Sequence, residues 1–155
     1  MVKLLFVCYG NICRSPMAEF IMKDMVKKSG LESCFEIASA AVSTEEIGNP
    51  VYPPAKEELA KHKIKCDGKT ARQMTKLDYD NYDFIIGMDN SNIREMRKIA
   101  GGDKFGKIYR LLDFTEQPGE VSDPWYHRNF TKCYNEIKAG CEDLMMHLIN
   151  EGLIY

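Results

Sequence analysis

No stretch of this 155-residue chain approaches the ~20 consecutive apolar residues that a bilayer-spanning helix needs. Its opening, Met1-Val2-Lys3-Leu4-Leu5-Phe6-Val7-Cys8, has one lysine and too short an apolar run for a secretory signal, so the expected location is the cytoplasm, with no membrane partner. An excess of either charge is also missing. Lysine and arginine number 21 and aspartate and glutamate 23, a formal net charge of −2, which argues against a nucleic-acid partner held through its phosphates. The one dense basic stretch, Lys61-His62-Lys63-Ile64-Lys65, has Glu57 and Glu58 close by and reads as a solvated helix face. Histidine is scarce, and none of His62, His127 and His147 lies in a ligand-like pair, so neither zinc nor another metal is expected. Repeats, low-complexity tracts and linkers are absent too. With 45% hydrophobic and 28% charged residues the composition is that of a globular protein, and the length fits one domain over residues 1–155.

Cysteine, by contrast, is plentiful: six residues, at 8, 13, 34, 66, 133 and 141. In a cytosolic chain of this length they are expected to be thiols rather than a disulfide framework. Cys133 and Cys141 fall on a helical pattern and read as small buried hydrophobes. Cys8 and Cys13 lie in a different setting.

Strand-like and helix-like stretches alternate along the chain. Leu4 to Cys8 is a nearly continuous apolar run, as expected of a strand covered on both faces. Ser15-Pro16 opens a helical pattern with serine as its cap, closed by Gly30. Phe35 to Ser39 predicts a second strand, Phe84 to Met88 a third and Lys107 to Leu112 a fourth. Helices are expected over residues 55–62, 70–78, 92–100 and 130–149, with residues 115–123 as a loop. The alternation predicts an α/β domain with a mostly parallel sheet, whose ligands bind beyond the carboxyl ends of its strands.

The loop Cys8-Tyr9-Gly10-Asn11-Ile12-Cys13-Arg14-Ser15 leaves the first strand and enters the first helix, which is such a place. Its successive N–H groups can form an anion nest, and the helix N-terminus adds partial positive charge. Arg14 offers a planar fork that holds two phosphate oxygens better than a lysine would. Gly10 permits a tight path, and Asn11 tolerates left-handed geometry. A free cysteine of pKa ~8.5 is only a few per cent thiolate at neutral pH, but a helix N-terminus and an arginine can lower that to roughly 3.5–7.5. Cys8 is therefore the expected nucleophile towards phosphorus, with Ser15 donating to its sulfur and Arg14 and the loop amides stabilising the transition state. The step needs no metal or cofactor. A proton donor for the leaving group is needed, and the candidate is Asp123 in Ser122-Asp123-Pro124-Trp125-Tyr126. The residues alone leave two possibilities for Asp123, a general acid or the start of a turn.

These stretches resemble the low-molecular-weight protein tyrosine phosphatases. Val7 to Glu19 looks like their signature loop and first helix. Further matches run through Ser39-Ala40-Ala41, Ile47-Gly48-Asn49-Pro50, Ala71-Arg72-Gln73, Met88 to Asn92 and Asp123-Pro124-Trp125-Tyr126. The resemblance implies Cys8 as nucleophile, Arg14 as phosphate binder and Asp123 as general acid, with Asn11, Ser15 and Ser39 supporting the loop through hydrogen bonds. It implies a four-stranded parallel sheet flanked by helices, a flavodoxin-like three-layer sandwich. It also implies phosphotyrosine-containing proteins as substrates, a phosphate or similar oxyanion in the loop, and a monomer or weak dimer.

Some positions depart from the family pattern. Tyr9 stands where leucine is common, which puts an aromatic at the pocket mouth. Ser43-Thr44-Glu45-Glu46 lacks an aromatic that many members use as a cleft wall, and Glu45 and Glu46 are expected to repel acidic sequence around a phosphosite. Lys69 falls where some relatives have a histidine that buttresses the asparagine matching Asn11. One branch of the family acts on phosphoarginine and has threonine at the position of Ile12; Ile12, Trp125 and Tyr126 favour a flat phenyl phosphate. Arsenate-reducing relatives need further redox cysteines, whereas here Cys66 stands alone and Cys133 and Cys141 lie on the last helix, away from the loop in sequence pattern. A non-catalytic phosphate-binding module would need neither nucleophile nor acid. Cys13 has two readings, a small buried side chain or a thiol that traps oxidised Cys8 as a disulfide, as in members that share it.

Overall fold

β1, Val2–Cys8, lies in the middle of the sheet and owes its place to its residues: Leu4, Leu5, Phe6 and Val7 are all fully buried. The structure, a computed structural model, describes residues 1–154. Side chains alternate across a strand, so Leu4, Phe6 and Cys8 enter one core while Leu5 and Val7 enter another on the opposite face. The flanking strands are β2, Phe35–Ala41, and β3, Phe84–Gly87, with β4, Ile108–Arg110, at the far edge. All pairings are parallel, in the order β2-β1-β3-β4. The larger core lies under α1, Arg14–Lys28, α2, Pro53–Lys61, and the long α6, Phe130–Asn150. The smaller core lies under α3, Lys76–Asn81, and α4, Asn90–Ala100. This is the expected four-stranded parallel α/β sandwich in three layers. A short helix α5, Pro124–His127, precedes α6.

Three expectations differ from the structure. α1 begins at Arg14 with Cys13 as its cap residue, and no side chain caps it. Ser15 is inside the helix, and its hydroxyl faces the sulfur of Cys8 at 3.0 Å. Residues 70–73 are extended rather than helical, because Arg72 O accepts from Ala41 N at 2.8 Å and Arg72 N donates to Asn11 Oδ1 at 3.2 Å. Helix α3 starts only at Lys76, behind a capping box formed by Thr75 and Asp78. β4 is shorter than expected, since Leu111–Phe114 turn into a 3₁₀ segment that buries Leu111.

The order of strands places a switch point between β1 and β3, where crossovers leave in opposite directions and a crevice opens at the carboxyl ends. Cys8, the last residue of β1, lies at that crevice.

Candidate active site

From Cys8 the chain turns back on itself to enter α1. The turn needs one residue in the left-handed region, and Asn11 supplies it with φ 60°. Two backbone donors converge on Cys8 Sγ as a result, Asn11 N at 3.3 Å and Ser15 N at 3.4 Å, and the Ser15 hydroxyl lies against it at 3.0 Å, in a bond that either atom can donate. No side chain caps α1, and the N–H of its second residue, Ser15, is turned to the sulfur of Cys8 instead.

A buried network holds the turn. Asn11 Nδ2 donates to Ser15 Oγ at 2.8 Å and to Ser39 Oγ at 3.0 Å, while Asn11 Oδ1 accepts from Arg72 N, so its side chain is fully satisfied. Ser39 in turn donates to Glu19 Oε1 at 2.6 Å. Glu19 is buried and pairs with Lys23 and, at 3.7 Å, with Lys69. Lys69 thus joins the network beside Ser39, whose carbonyl takes its ammonium at 3.0 Å, rather than at Asn11. Burial pulls the Lys69 ammonium below the usual lysine range, with Glu19 opposing.

Arg14 is 2% exposed and has carboxylates on two sides. Nη1 donates to Asp89 Oδ2 at 2.7 Å and to the Val121 carbonyl at 2.8 Å, and Nη2 lies 3.5 Å from Asp123 Oδ2. Burial works against its charge, but Cys8, Asp89 and Asp123 outweigh that and hold it protonated. Asp89 also caps α4, accepting from Asn92 N at 2.8 Å through its other oxygen. Asp123 caps α5 in the same way, accepting from Trp125 N at 3.0 Å.

Above Cys8 lies a cavity of about 180 Å³. Gly10, Ile12, Cys13 and Arg14 line its floor with Cys8, and Asp123 and Trp125 form one wall. Tyr9, Glu45, Glu46 and Tyr126 stand at the mouth. A Cβ at Gly10 would meet the Glu46 side chain at 3.3 Å, a tight contact. The Tyr9 hydroxyl donates to Glu45 Oε1 at 2.7 Å, and that bond, with lesser desolvation, raises the phenol above its usual range. The Ser43 hydroxyl and amide both donate to the Tyr9 carbonyl, at 2.8 and 3.1 Å, which ties the loop after β2 to the turn.

The residues expected at the site are therefore gathered in one place, with a division among them. Asn11 and Ser15 do not line the cavity; they lie behind the sulfur and support it. The sequence marks Asp89 as part of a helix start and gives neither it nor Glu19 a role at the site. Its available signal was the buried arginine itself, which needs a carboxylate partner. Cys133 requires a correction. The sequence pattern separates it from the loop, yet it is fully buried in the same core cluster as Cys8 and Cys13. Burial pushes that thiol up to about 12. The Cys13 thiol is pushed further still, first by burial and then by the charge on Cys8. Among the described residues, no group of three or more His, Cys, Asp or Glu side chains is placed to hold a metal ion, and no helix is long and apolar enough to cross a membrane.

Comparison with known proteins gives the same picture across the whole chain. The low molecular weight protein-tyrosine-phosphatase YfkJ of Bacillus subtilis is 43% identical over 153 residues, covering 97% of this chain and 98% of YfkJ. The crystal structure of YfkJ superposes with a TM-score of 0.94 over 97% of this chain and 96% of that one. The low molecular weight protein-tyrosine-phosphatase PtpA of Staphylococcus aureus is 32% identical over 98% of this chain and 97% of its own. The Drosophila arginine phosphatase DARP is 30% identical, with a TM-score of 0.86 over 94% of this chain and 97% of that one. Residues 3–153 match the model of a single family. A cysteine at the end of β1, a turn of inward amides and an arginine at the start of α1 are thus set in a frame shared from end to end, and the chain belongs to the low molecular weight phosphotyrosine protein phosphatases, a metal-independent hydrolase family.

Proposed function

We propose that this chain hydrolyses phosphotyrosine in proteins through a phosphocysteine intermediate. The observation that carries this reading is the convergence of Asn11 N, Ser15 N and Ser15 Oγ on Cys8 Sγ, at the floor of a cavity that Arg14 and Asp123 also line. In the first step the sulfur of Cys8 forms a bond to phosphorus while the bond to the tyrosine oxygen breaks. Asp123, protonated, delivers its proton to that oxygen. In the second step water attacks phosphorus, Asp123 takes up its proton, and the S–P bond breaks to release phosphate. The Ser15 hydroxyl, held by Asn11, donates to the departing sulfur. Arg14 and the turn's amides hold the equatorial oxygens in both steps.

The aryl group follows from the walls. Ile12 lines the cavity with an apolar side chain, and Trp125, Tyr126 and Tyr9 offer aromatic faces around it. DARP, at 30% identity, shows that the same frame also serves an arginine phosphatase, so the choice rests on those side chains. Glu45 and Glu46 at the mouth disfavour acidic residues beside the phosphosite.

The test is hydrolysis of an aryl phosphate in EDTA by wild type and Cys8→Ser. Robust wild-type activity, lost by at least ~10³-fold in the variant, is expected. An inactive, fully reduced wild type would overturn the reading in favour of a binding module or an arsenate reductase. In the same assay, neutralising Glu45 and Glu46 should favour acidic phosphopeptides over a small aryl phosphate; equal effects on both would remove the carboxylates from substrate selection.

A further inference from the structure

Beside Trp125, an exposed arginine lies against three aromatic rings. The guanidinium of Arg128 lies 5.3 Å from the ring of Tyr52, 5.5 Å from that of Trp125 and 5.5 Å from that of Phe130. One of its nitrogens donates to the Tyr52 hydroxyl at 2.9 Å. Tyr52 and Trp125 themselves meet with ring centroids 5.0 Å apart. Arg128 reaches this position by adopting φ 61°, a left-handed conformation that is unfavourable for a long side chain, and its N–H closes α5 on the Pro124 carbonyl at 2.8 Å. Tyr52 is also anchored, since its N–H donates to the carbonyl of Ile12 in the catalytic turn at 2.9 Å.

These contacts form a path. The turn holds Tyr52, Tyr52 and Arg128 hold Trp125, and the N–H of Trp125 holds the Asp123 carboxylate. We propose that Arg128 is a positioning residue that clamps Trp125 against Tyr52 and so aims Asp123 at the leaving group. Arg128 lies outside the cavity lining and acts through its neighbours. The clamp rests on the general-acid role given to Asp123 above. Arginine suits the position because its flat cation can face rings on several sides and still donate in its plane.

Two independent readouts test the clamp. Trp125 is the only tryptophan in the chain, so its fluorescence reports on the wall directly. Arg128→Asn keeps a residue that tolerates the left-handed conformation and removes the cation. Its emission should move to longer wavelength and its anisotropy should fall, with Arg128→Lys intermediate. In kinetics, a misdirected acid matters most when the leaving group needs its proton. Arg128→Asn should therefore lose about tenfold in kcat/KM on phosphotyrosine, a part of the 10²–10⁴ a general acid supplies. On p-nitrophenyl phosphate, whose leaving group departs with little help, the loss should be about threefold or less. Unchanged emission, or equal losses on the two substrates, would overturn the clamp. Asp123→Asn separates this from the reading beneath it. If that variant shows the same leaving-group dependence and Arg128→Asn does not, the clamp alone fails. If Asp123→Asn shows none, the acid assignment falls and the role of Arg128 falls with it.

Discussion

Cys8 and Cys13 share one turn yet meet opposite conditions. Donors surround the sulfur of Cys8, whereas the Cys13 thiol is held protonated by burial and by the charge beside it. This sets the pH dependence of any redox protection. Once peroxide has converted Cys8 to a sulfenic acid, trapping requires the Cys13 sulfur as an anion; the new S–S bond forms as hydroxide leaves. Because the Cys13 thiol is raised, its anion is a minor species that grows about tenfold per pH unit. Trapping should therefore accelerate by about that factor between pH 7 and 8. Thiol counting after a peroxide pulse, with Cys13→Ala as control, measures it; a rate independent of pH, or equal recovery of both proteins with reductant, would leave Cys13 as a core side chain. Residues at this scale were legible unevenly. Cys8, Arg14 and Ser15 act within one turn, so local spacing revealed them. Asp89 meets Arg14 across 75 positions and Glu19 meets Ser39 across 20, and no local pattern records such pairs.

At the scale of elements, α6 and the 3₁₀ segment before it are packed around a missing side chain. Gly140 stands in the middle of the long helix, and a Cβ there would lie 2.5 Å from Leu111 Cγ, with both its methyls at about 3 Å. Leu111 is fully buried, so it has little room to turn aside. Gly140→Ala gains about 1 kcal/mol in helix propensity and costs about 1–3 kcal/mol in overpacking. The clash should prevail, lowering the urea midpoint by the equivalent of about 1 kcal/mol with an unchanged slope. A raised midpoint would mean that the 3₁₀ segment yields. The boundaries that sequence reasoning placed well are those decided by burial, such as β1 and α6, where apolar spacing is sufficient. Residues 70–73 went the other way, because their backbone bonds to Ala41 and to the Asn11 side chain outweigh local preference. The start of α1 differs for a related reason: Ser15 has the chemistry of a cap, but its hydroxyl is engaged by Cys8, Asn11 and Ala40 inside the helix.

At the scale of the whole molecule, the site is a junction. The end of β1, the loop after β2, the start of α1, the cap of α4 and the loop ahead of α5 all meet at Arg14 or at the cavity above it. An oxyanion seated there binds the assembled chain and finds no such cradle in the unfolded one, so it must stabilise the fold. At 100 times its dissociation constant, inorganic phosphate should add about 2.7 kcal/mol. For a chain of this length that is about 5–11 °C in Tm. The two carboxylates on Arg14 keep its charge and its fork in place before any anion arrives. Arg14→Lys retains the charge and the pairing partners but loses the second in-plane donor. Its own Tm should fall modestly, while the gain from the same phosphate concentration should shrink by half or more. If the lysine variant gained as much as wild type, the amides of the turn would be the binding element and Arg14 a structural link between Asp89 and Asp123. If neither protein gained, the cavity would not hold phosphate, and the junction would serve the fold alone.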